Sequence, residues 1–422
     1  MQINLNLIKS SYINRISQHW IMTQHQFPDF LKEISLDNKI TNEKFLDMCL
    51  EDFTSHFLSL SKGTFLHKKK WRKRILNKVN NMLCTENILG IHTILKDETL
   101  EKMQSEIGEF LFKAREFDKD LNLSDIGQAV RNYIVYIMFK ELNQIERSFS
   151  QACFGYSMLY PFTDNYIDNT NLTTMEKNLY NNIIRDKIKG KEVKTQSIHQ
   201  SKTCMLLDFI ESEYSRASDT SIHNLLLMML EAQEISMTKQ KKKDLTAEER
   251  LDISIYKGGL SVLIDRYLIN KPLTQEDIIF YLSFGFFLQL ADDLLDISED
   301  IKAGSQTIFS LDTSSHHLEL LVNKLFIYVH NLFSSYHSIN DDFKHFVLTN
   351  CYFLILYGVA ESKEYLTSSY MVELEKYFPV RFSYLDSIKT RTKHLNASIT
   401  QDNYSKLFDE ILSNYANPTT HK

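Results

Sequence analysis

Glycine and proline are scarce in this chain, eleven and five in 422 residues. Turn-rich β architectures draw heavily on both, so their shortage favours long helices joined by short connections. Cysteine is also sparse. Cys49, Cys84, Cys153, Cys204 and Cys351 are far apart, odd in number and without CxxC spacing, and read as free thiols in a reducing compartment. No His or Cys stands at zinc spacing, and neither a P-loop nor a GxGxxG is present, so a bound nucleotide is not expected. A formal charge of −6 carries no nucleic-acid signature. The opening stretch MQINLNLIKSSYINR has no sustained apolar run, so a secretory leader is not expected. The uncharged run Ile278 to Ala291 is too short and too punctuated by Ser283 and Gln289 to read as a membrane span. Cytoplasmic is the expected location.

What the chain does have is 43% hydrophobic and 24% charged residues, the balance of a soluble globular protein with a large core. Residues 1–40 read as an N-terminal extension, 41–412 as one α-helical domain and 413–422 as a frayed tail. Phe45, Leu46, Met48, Cys49, Phe53, Phe57 and Leu60 follow helical spacing. The cluster His67 to Arg74 (HKKKWRKR) reads either as a solvated helix face or as a peripheral contact with an anionic membrane through the basic side chains flanking Trp71. Asn122 or Ser124 caps the next apolar helix; Thr173 with Glu176, Thr246 with Glu249, and Thr274 with Asp277 mark further helix starts. Ile222 to Met237 is apolar over nearly two faces and reads as a central helix, and two more helical patterns cover roughly Leu318–Tyr336 and Phe343–Ser369. No convincing strand or internal repeat occurs. The fold class is all-α, a helical bundle.

Two acidic stretches carry the chemistry. In IIFYLSFGFFLQLADDLLDISED the first fourteen residues are uncharged, and the last nine hold Asp292, Asp293, Asp296, Glu299 and Asp300. At about 100° per residue an unbroken helix puts these five carboxylates on one arc of roughly 120°. Like charges at this spacing oppose folding, and burial raises the cost further. A cation should therefore sit on the arc. The second stretch, FTDNYIDN, sets Asp164 and Asp168 four residues apart at the end of another apolar segment, with Tyr160 one turn earlier. Pro161 makes that helix either kink or start there. Carboxylate oxygens from two facing helices suit Mg2+, which commonly bridges to substrate phosphates. The natural ligand is thus a diphosphate. The inner face of the Ile278 helix, with Tyr281, Gly285, Leu288 and Gln289, is expected to line a deep apolar pocket for a hydrocarbon tail.

These residues bear a family resemblance. LQLADDLLDISEDIKAG resembles the second aspartate-rich motif of class I isoprenoid synthases: Asp296, Glu299 and Asp300 match the DxxED of squalene and phytoene synthases, and Leu288, Gln289, Asp292, Asp293 and Asp296 approach the FQxxDDxxD of all-trans polyprenyl synthases. DNYIDN is similar to the DxxxD of the squalene and phytoene group and to the DYLDN of bacterial large-terpene synthases. The resemblance spans roughly Arg147 to Ser310, less than half the chain. It implies an isoprenoid-synthase-type bundle around a deep apolar cavity, about three Mg2+ ions held by both motifs, and a prenyl diphosphate that ionises and then cyclises or eliminates. Two departures stand out. The first motif lacks the paired arginines of chain-elongating synthases, and Ser305 replaces the basic residue expected after Gly304.

On this reading Asp164, Asp168, Asp292 and Asp296 drive catalysis, and Asp293, Glu299 and Asp300 join them as metal ligands. Lys257, in YKGGL, is a diphosphate cation beside a glycine-weakened helix, or else a solvent lysine at a tight helix crossing. Lys302 pairs with Asp300 or with phosphate. Tyr160, Tyr281, Gly285, Leu288 and Gln289 complete the substrate contacts, with Arg147 and Ser148 as weaker ones. A squalene- or phytoene-like coupling transferase, and a non-catalytic lipid-binding helical module, are the competing readings; a homodimer is compatible with all three.

Overall fold

A computed structural model of the chain describes residues 7–60, 65–146, 148–239, 245–269, 272–398 and 408–412. Every regular element among them is helical. After a π-helical turn at Ile8–Tyr12 come α1 (Ile13–Met22), α2 (Leu36–Leu60), α3 (Phe65–Thr85), α4 (Ile91–Ile94), α5 (Asp97–Phe117), α6 (Leu123–Leu142), α7 (Gln151–Asp168), α8 (Thr174–Ile188) and α9 (Ile198–Glu213). The second half contributes α10 (Ser221–Lys239), α11 (Ala247–Leu268), α12 (Gln275–Leu295), α13 (Ile297–Ala303), α14 (Ser315–Ser335), α15 (Asp341–Glu361), α16 (Ser368–Glu375) and α17 (Phe382–Ser398). The expected all-α class is what the chain adopts. All five cysteines are unpaired thiols.

Local signals set many of these boundaries. Asn122 caps α6 by accepting the Asp125 N–H at 2.9 Å. Thr173, Thr246 and Thr274 each close a full capping box, with Glu176, Glu249 and Asp277 respectively. The helix expected across Phe343–Ser369 ends sooner, at Glu361, and a 3₁₀ turn at Lys363–Tyr365 precedes α16.

The chain divides into two compact units. The smaller comprises Phe30–Ile126 and Val372–Lys422. In it Glu43, 4% exposed, accepts from the Arg381 guanidinium at 2.6 Å, and Trp71 packs with Ile75, Phe53, Leu76 and Ile411. Trp71 is 4% exposed while Lys70, Lys73 and Arg74 face solvent. The aromatic centre of the basic cluster is therefore core, and no tryptophan there is presented to a membrane. The positions expected as a frayed tail, 413–422, lie outside the described residues.

The larger unit comprises Met1–Asp29 and Gly127–Met371 and is built around α12. α11, α14 and α15 pack on α12, α10 lies against α11 and α8, and α7 packs against α9. Phe280, Phe284, Phe286 and Phe287 are all buried along α12. α12 and α15 are 21 residues each and apolar enough to cross a membrane, and 72% and 56% of their apolar windows are buried in the fold. Longer than the uncharged run alone, α12 has the length of a span, and its apolarity is used in packing.

The α11–α12 contact is unusually close. A Cβ on Gly258 would stand 2.5 Å from the Gly285 carbonyl oxygen and 2.7 Å from the Gln289 Cβ, and one on Gly259 would meet the Leu282 carbonyl at 2.9 Å. Two backbones touch here because neither carries a side chain. α11 runs unbroken through Gly258 and Gly259, so the expected local break is absent; the glycines serve the crossing instead. Gly258→Ala should therefore destabilise the protein by about 1–3 kcal/mol in a urea melt. Gly127→Ala, at an α6 position with nothing within 4 Å, should stabilise it by roughly 0.5–1 kcal/mol. Equal effects at the two positions would contradict the crossing.

Candidate functional site

α7 starts at Ser150, whose hydroxyl accepts the Cys153 N–H at 3.1 Å, and runs to Asp168 with Pro161 inside it. The proline costs one backbone hydrogen bond without ending the helix. Tyr160, Asp164 and Asp168 therefore do share one face. α12 stops at Leu295. Asp296, at φ −101° and ψ 16°, bends the chain into α13 while its N–H still reaches the Asp292 carbonyl at 2.9 Å, and the Asp300 N–H reaches the Asp296 carbonyl at 2.8 Å. The second motif is thus a bent pair of helices, and the single continuous arc expected from spacing is not realised. Gly304, at φ +67°, ends α13 in the left-handed conformation that favours glycine and turns the chain back toward Ser305 and Thr307.

Both motifs open on one cavity of about 290 Å3. Asp164 and Asp168 line it from α7; Gln289, Asp292 and Asp293 from α12; Asp296 bounds it at the bend and Asp300 from α13. Lys257 enters from α11. The sequence reading had not singled out Gln233 and Ser236 on α10, Lys177 on α8, or Thr307, which also line it. Ser305, where a basic residue was expected, faces the same space. A lone glutamine within the apolar run LLLMMLEAQEISM was the one visible hint of Gln233.

Other expected residues lie elsewhere. Glu299 and Lys302 are exposed and outside the cavity lining, and the charge of Lys302 acts on Glu364 rather than on Asp300. Tyr281 is fully buried: Asn143 donates to its hydroxyl at 2.9 Å, and the Arg266 guanidinium lies 5.5 Å over its ring. Gly285 is spent on the helix crossing, and Leu288 is half-buried outside the lining. The deep apolar pocket expected beneath the α12 rim is therefore filled by core. Arg266 pairs with Asp277 at 3.4 Å, on the far side of α11 from Lys257. Ser148 is exposed, and Arg147 lies outside the described residues.

A small apolar void, not a deep pocket, lies between α7, α8, α9 and α10. A second cavity of about 40 Å3 is walled by Leu159, Ile184, Ile188, Leu207, Leu226, Met229 and Leu230. Tyr156 and Tyr160 edge it, their hydroxyls 3.2 Å apart, with Tyr156 donating to the Ser261 carbonyl at 3.0 Å. Gln233 belongs to the walls of both cavities.

Electrostatics in the acidic cavity are unbalanced. Burial raises the pKa of Asp164 and of Asp292, opposed in each case by Lys257 and, for Asp292, also by Arg131. Burial pushes Asp293 up to about 8, against the hydrogen bond from Gln289. Asp296 and Asp300 are each raised to about 6, first by burial and then by neighbouring carboxylates, with a hydrogen bond from Thr307 opposing the shift at Asp300. Gln289 donates to Asp293 Oδ1 at 2.9 Å, while the buried Oδ2 has no hydrogen-bond partner. That orphaned oxygen and an all-carboxylate donor set fit a hard divalent cation such as Mg2+. No three carboxylate, imidazole or thiol groups among the described residues stand close enough to enclose an ion unaided. A cation here needs further oxygens, and a phosphorylated ligand is the natural source.

No known protein family, curated protein or solved structure matches this chain.

The raised carboxylates carry a pH signature. Their folded pKa values exceed that of an ordinary aspartate, so the folded state holds more protons than the unfolded one between about pH 4 and 8. Stability of the metal-free protein should fall as pH rises through about 6 and again near 8. Melting temperatures in EDTA should be higher at pH 5.5 than at pH 7.5, and Asp293→Asn should shrink that gap. A gap unchanged in the variant would show that these acids are not the source.

Proposed function

We propose that the chain is a class I terpene synthase that ionises a linear prenyl diphosphate in a Mg2+-dependent reaction and releases diphosphate after cyclisation or elimination. One observation carries this reading: aspartates of both motifs line one cavity with Lys257, beside an apolar cavity across Gln233. The resemblance of the two aspartate motifs to class I isoprenoid synthases points the same way.

In this reading Asp164 and Asp168 bind cations from one side, and Asp292, Asp293, Asp296 and Asp300 from the other. Mg2+, when bound, supplies the charge that holds the diphosphate and stabilises it as a leaving group. Lys257 meets the diphosphate oxygens from α11, and Ser305 and Thr307 offer hydroxyl donors where the family has a basic residue. The hydrocarbon tail enters between Leu159, Ile184, Leu226 and Met229, which must part to admit it because the cavity of about 40 Å3 is smaller than a prenyl chain, and which then exclude water from the allylic cation left after C–O cleavage. The faces of Tyr156 and Tyr160 stabilise positive charge without removing a proton, because burial holds both phenols well above their ordinary pKa.

Purified protein incubated with geranyl, farnesyl and longer prenyl diphosphates should release pyrophosphate with Mg2+ and not in EDTA. Asp164→Asn and Asp296→Asn should each lower the rate by about a hundredfold or more, with melting temperature unchanged or raised. Release without metal, or none with any chain length, would contradict the reading. A product joining two prenyl chains would make the protein a coupling transferase instead.

A further inference from the structure

Asp164 is not a free ligand. Gln233 Nε2 donates to its Oδ1 at 2.6 Å, while the Thr163 hydroxyl, which donates to the Leu159 carbonyl at 2.7 Å, stands 3.3 Å from the same oxygen. A cation that takes this oxygen, alone or in a bidentate contact with Oδ2, competes with the Gln233 bond. Gln233 is also the partition between the two cavities: the acidic space lies on one side of it and the tyrosine-edged apolar space on the other. Thr163, next to Asp164 in the chain, belongs to the apolar wall.

We propose that Gln233 is a threshold residue that couples seating of a hydrocarbon tail to cation binding at Asp164. A tail entering the apolar cavity from the acidic side pushes the amide aside, and the move releases Asp164 Oδ1. Linkage makes the effect reciprocal: a cation that takes Asp164 from Gln233 opens the apolar cavity. In the empty protein Gln233 holds Asp164 Oδ1 and the apolar cavity is only about 40 Å3. The proposal rests on the functional reading above and adds a positioning residue to it.

The test uses Mn2+ as the metal and geraniol as the tail, because an alcohol without phosphate cannot ligate the metal through a diphosphate. Free Mn2+ is followed by electron paramagnetic resonance, and geraniol occupancy by equilibrium dialysis. Geraniol should tighten Mn2+ binding to the wild-type chain by roughly five- to a hundredfold. Gln233→Leu, which fills the threshold but cannot hold Asp164, should bind Mn2+ more tightly without geraniol and respond little to it. Gln233→Ala should behave alike, and far-ultraviolet circular dichroism confirms folding of both. A merely supporting glutamine predicts the opposite sign, since losing an outer-shell partner weakens metal binding by about 10–100-fold. Weaker Mn2+ binding in the variants overturns the proposal. So does wild-type Mn2+ affinity unmoved by bound geraniol, or Mn2+ binding with no geraniol uptake. Absence of Mn2+ binding under every condition would overturn the functional reading itself, and this proposal with it.

Discussion

The backbone contact of α11 with α12 is the constraint from which the site follows. Gly258, Gly259 and Gly285 let two buried helices touch without intervening side chains. Lys257 precedes the first of these glycines, and Gln289 packs against the Gly258 position. The crossing therefore fixes how far the ammonium on α11 stands from the carboxylates that begin three residues after Gln289. Any side chain at the crossing would separate the helices and move Lys257 away from the rim it serves.

Charge is what the crossing organises. Six aspartates and two lysines line one cavity, and one aspartate oxygen is buried with no partner at all. Burying carboxylates in this way costs stability, and the raised pKa values of Asp293, Asp296 and Asp300 express that cost as retained protons. On the proposed reading a divalent cation from outside offsets this excess of acids over internal cations, and Lys257 meets the phosphate oxygens that accompany it.

Much of this was legible in the sequence because it is local. Three capping boxes, the sparse glycines and prolines and the 3.6-residue periodicity fixed an all-helical chain, and the aspartate spacings picked out six of the cavity carboxylates. Pattern alone could not show the bend at Asp296, which depends on backbone angles, or that Glu299 stays outside the cavity lining while its charge still acts on Asp296 and Asp300. Nor could it separate Tyr281, a core residue held by Asn143 and Arg266, from a pocket residue on the same helix face. The apolar cavity was misplaced for a tertiary reason. The α12 surface expected to line it is occupied by α11, and the apolar void bounded by α7 through α10 is only about 40 Å3, set by mutual packing that no periodicity specifies. Gln233 was missed because a single glutamine in an apolar helix gains meaning only from its partner, 69 residues away on α7. The YKGGL stretch supported two alternatives, a tight crossing or a phosphate cation. In the folded chain the glycines form the crossing, and Lys257 still faces the acidic cavity.

The central claim is that this acidic cavity accepts metal and diphosphate as one unit. Calorimetric titration of inorganic pyrophosphate into the protein addresses it most directly. Pyrophosphate should bind with Mg2+ present, bind negligibly in EDTA, and lose its Mg2+-dependent binding in Asp292→Asn. Binding of equal strength in EDTA, or binding indifferent to Asp292, would contradict the account.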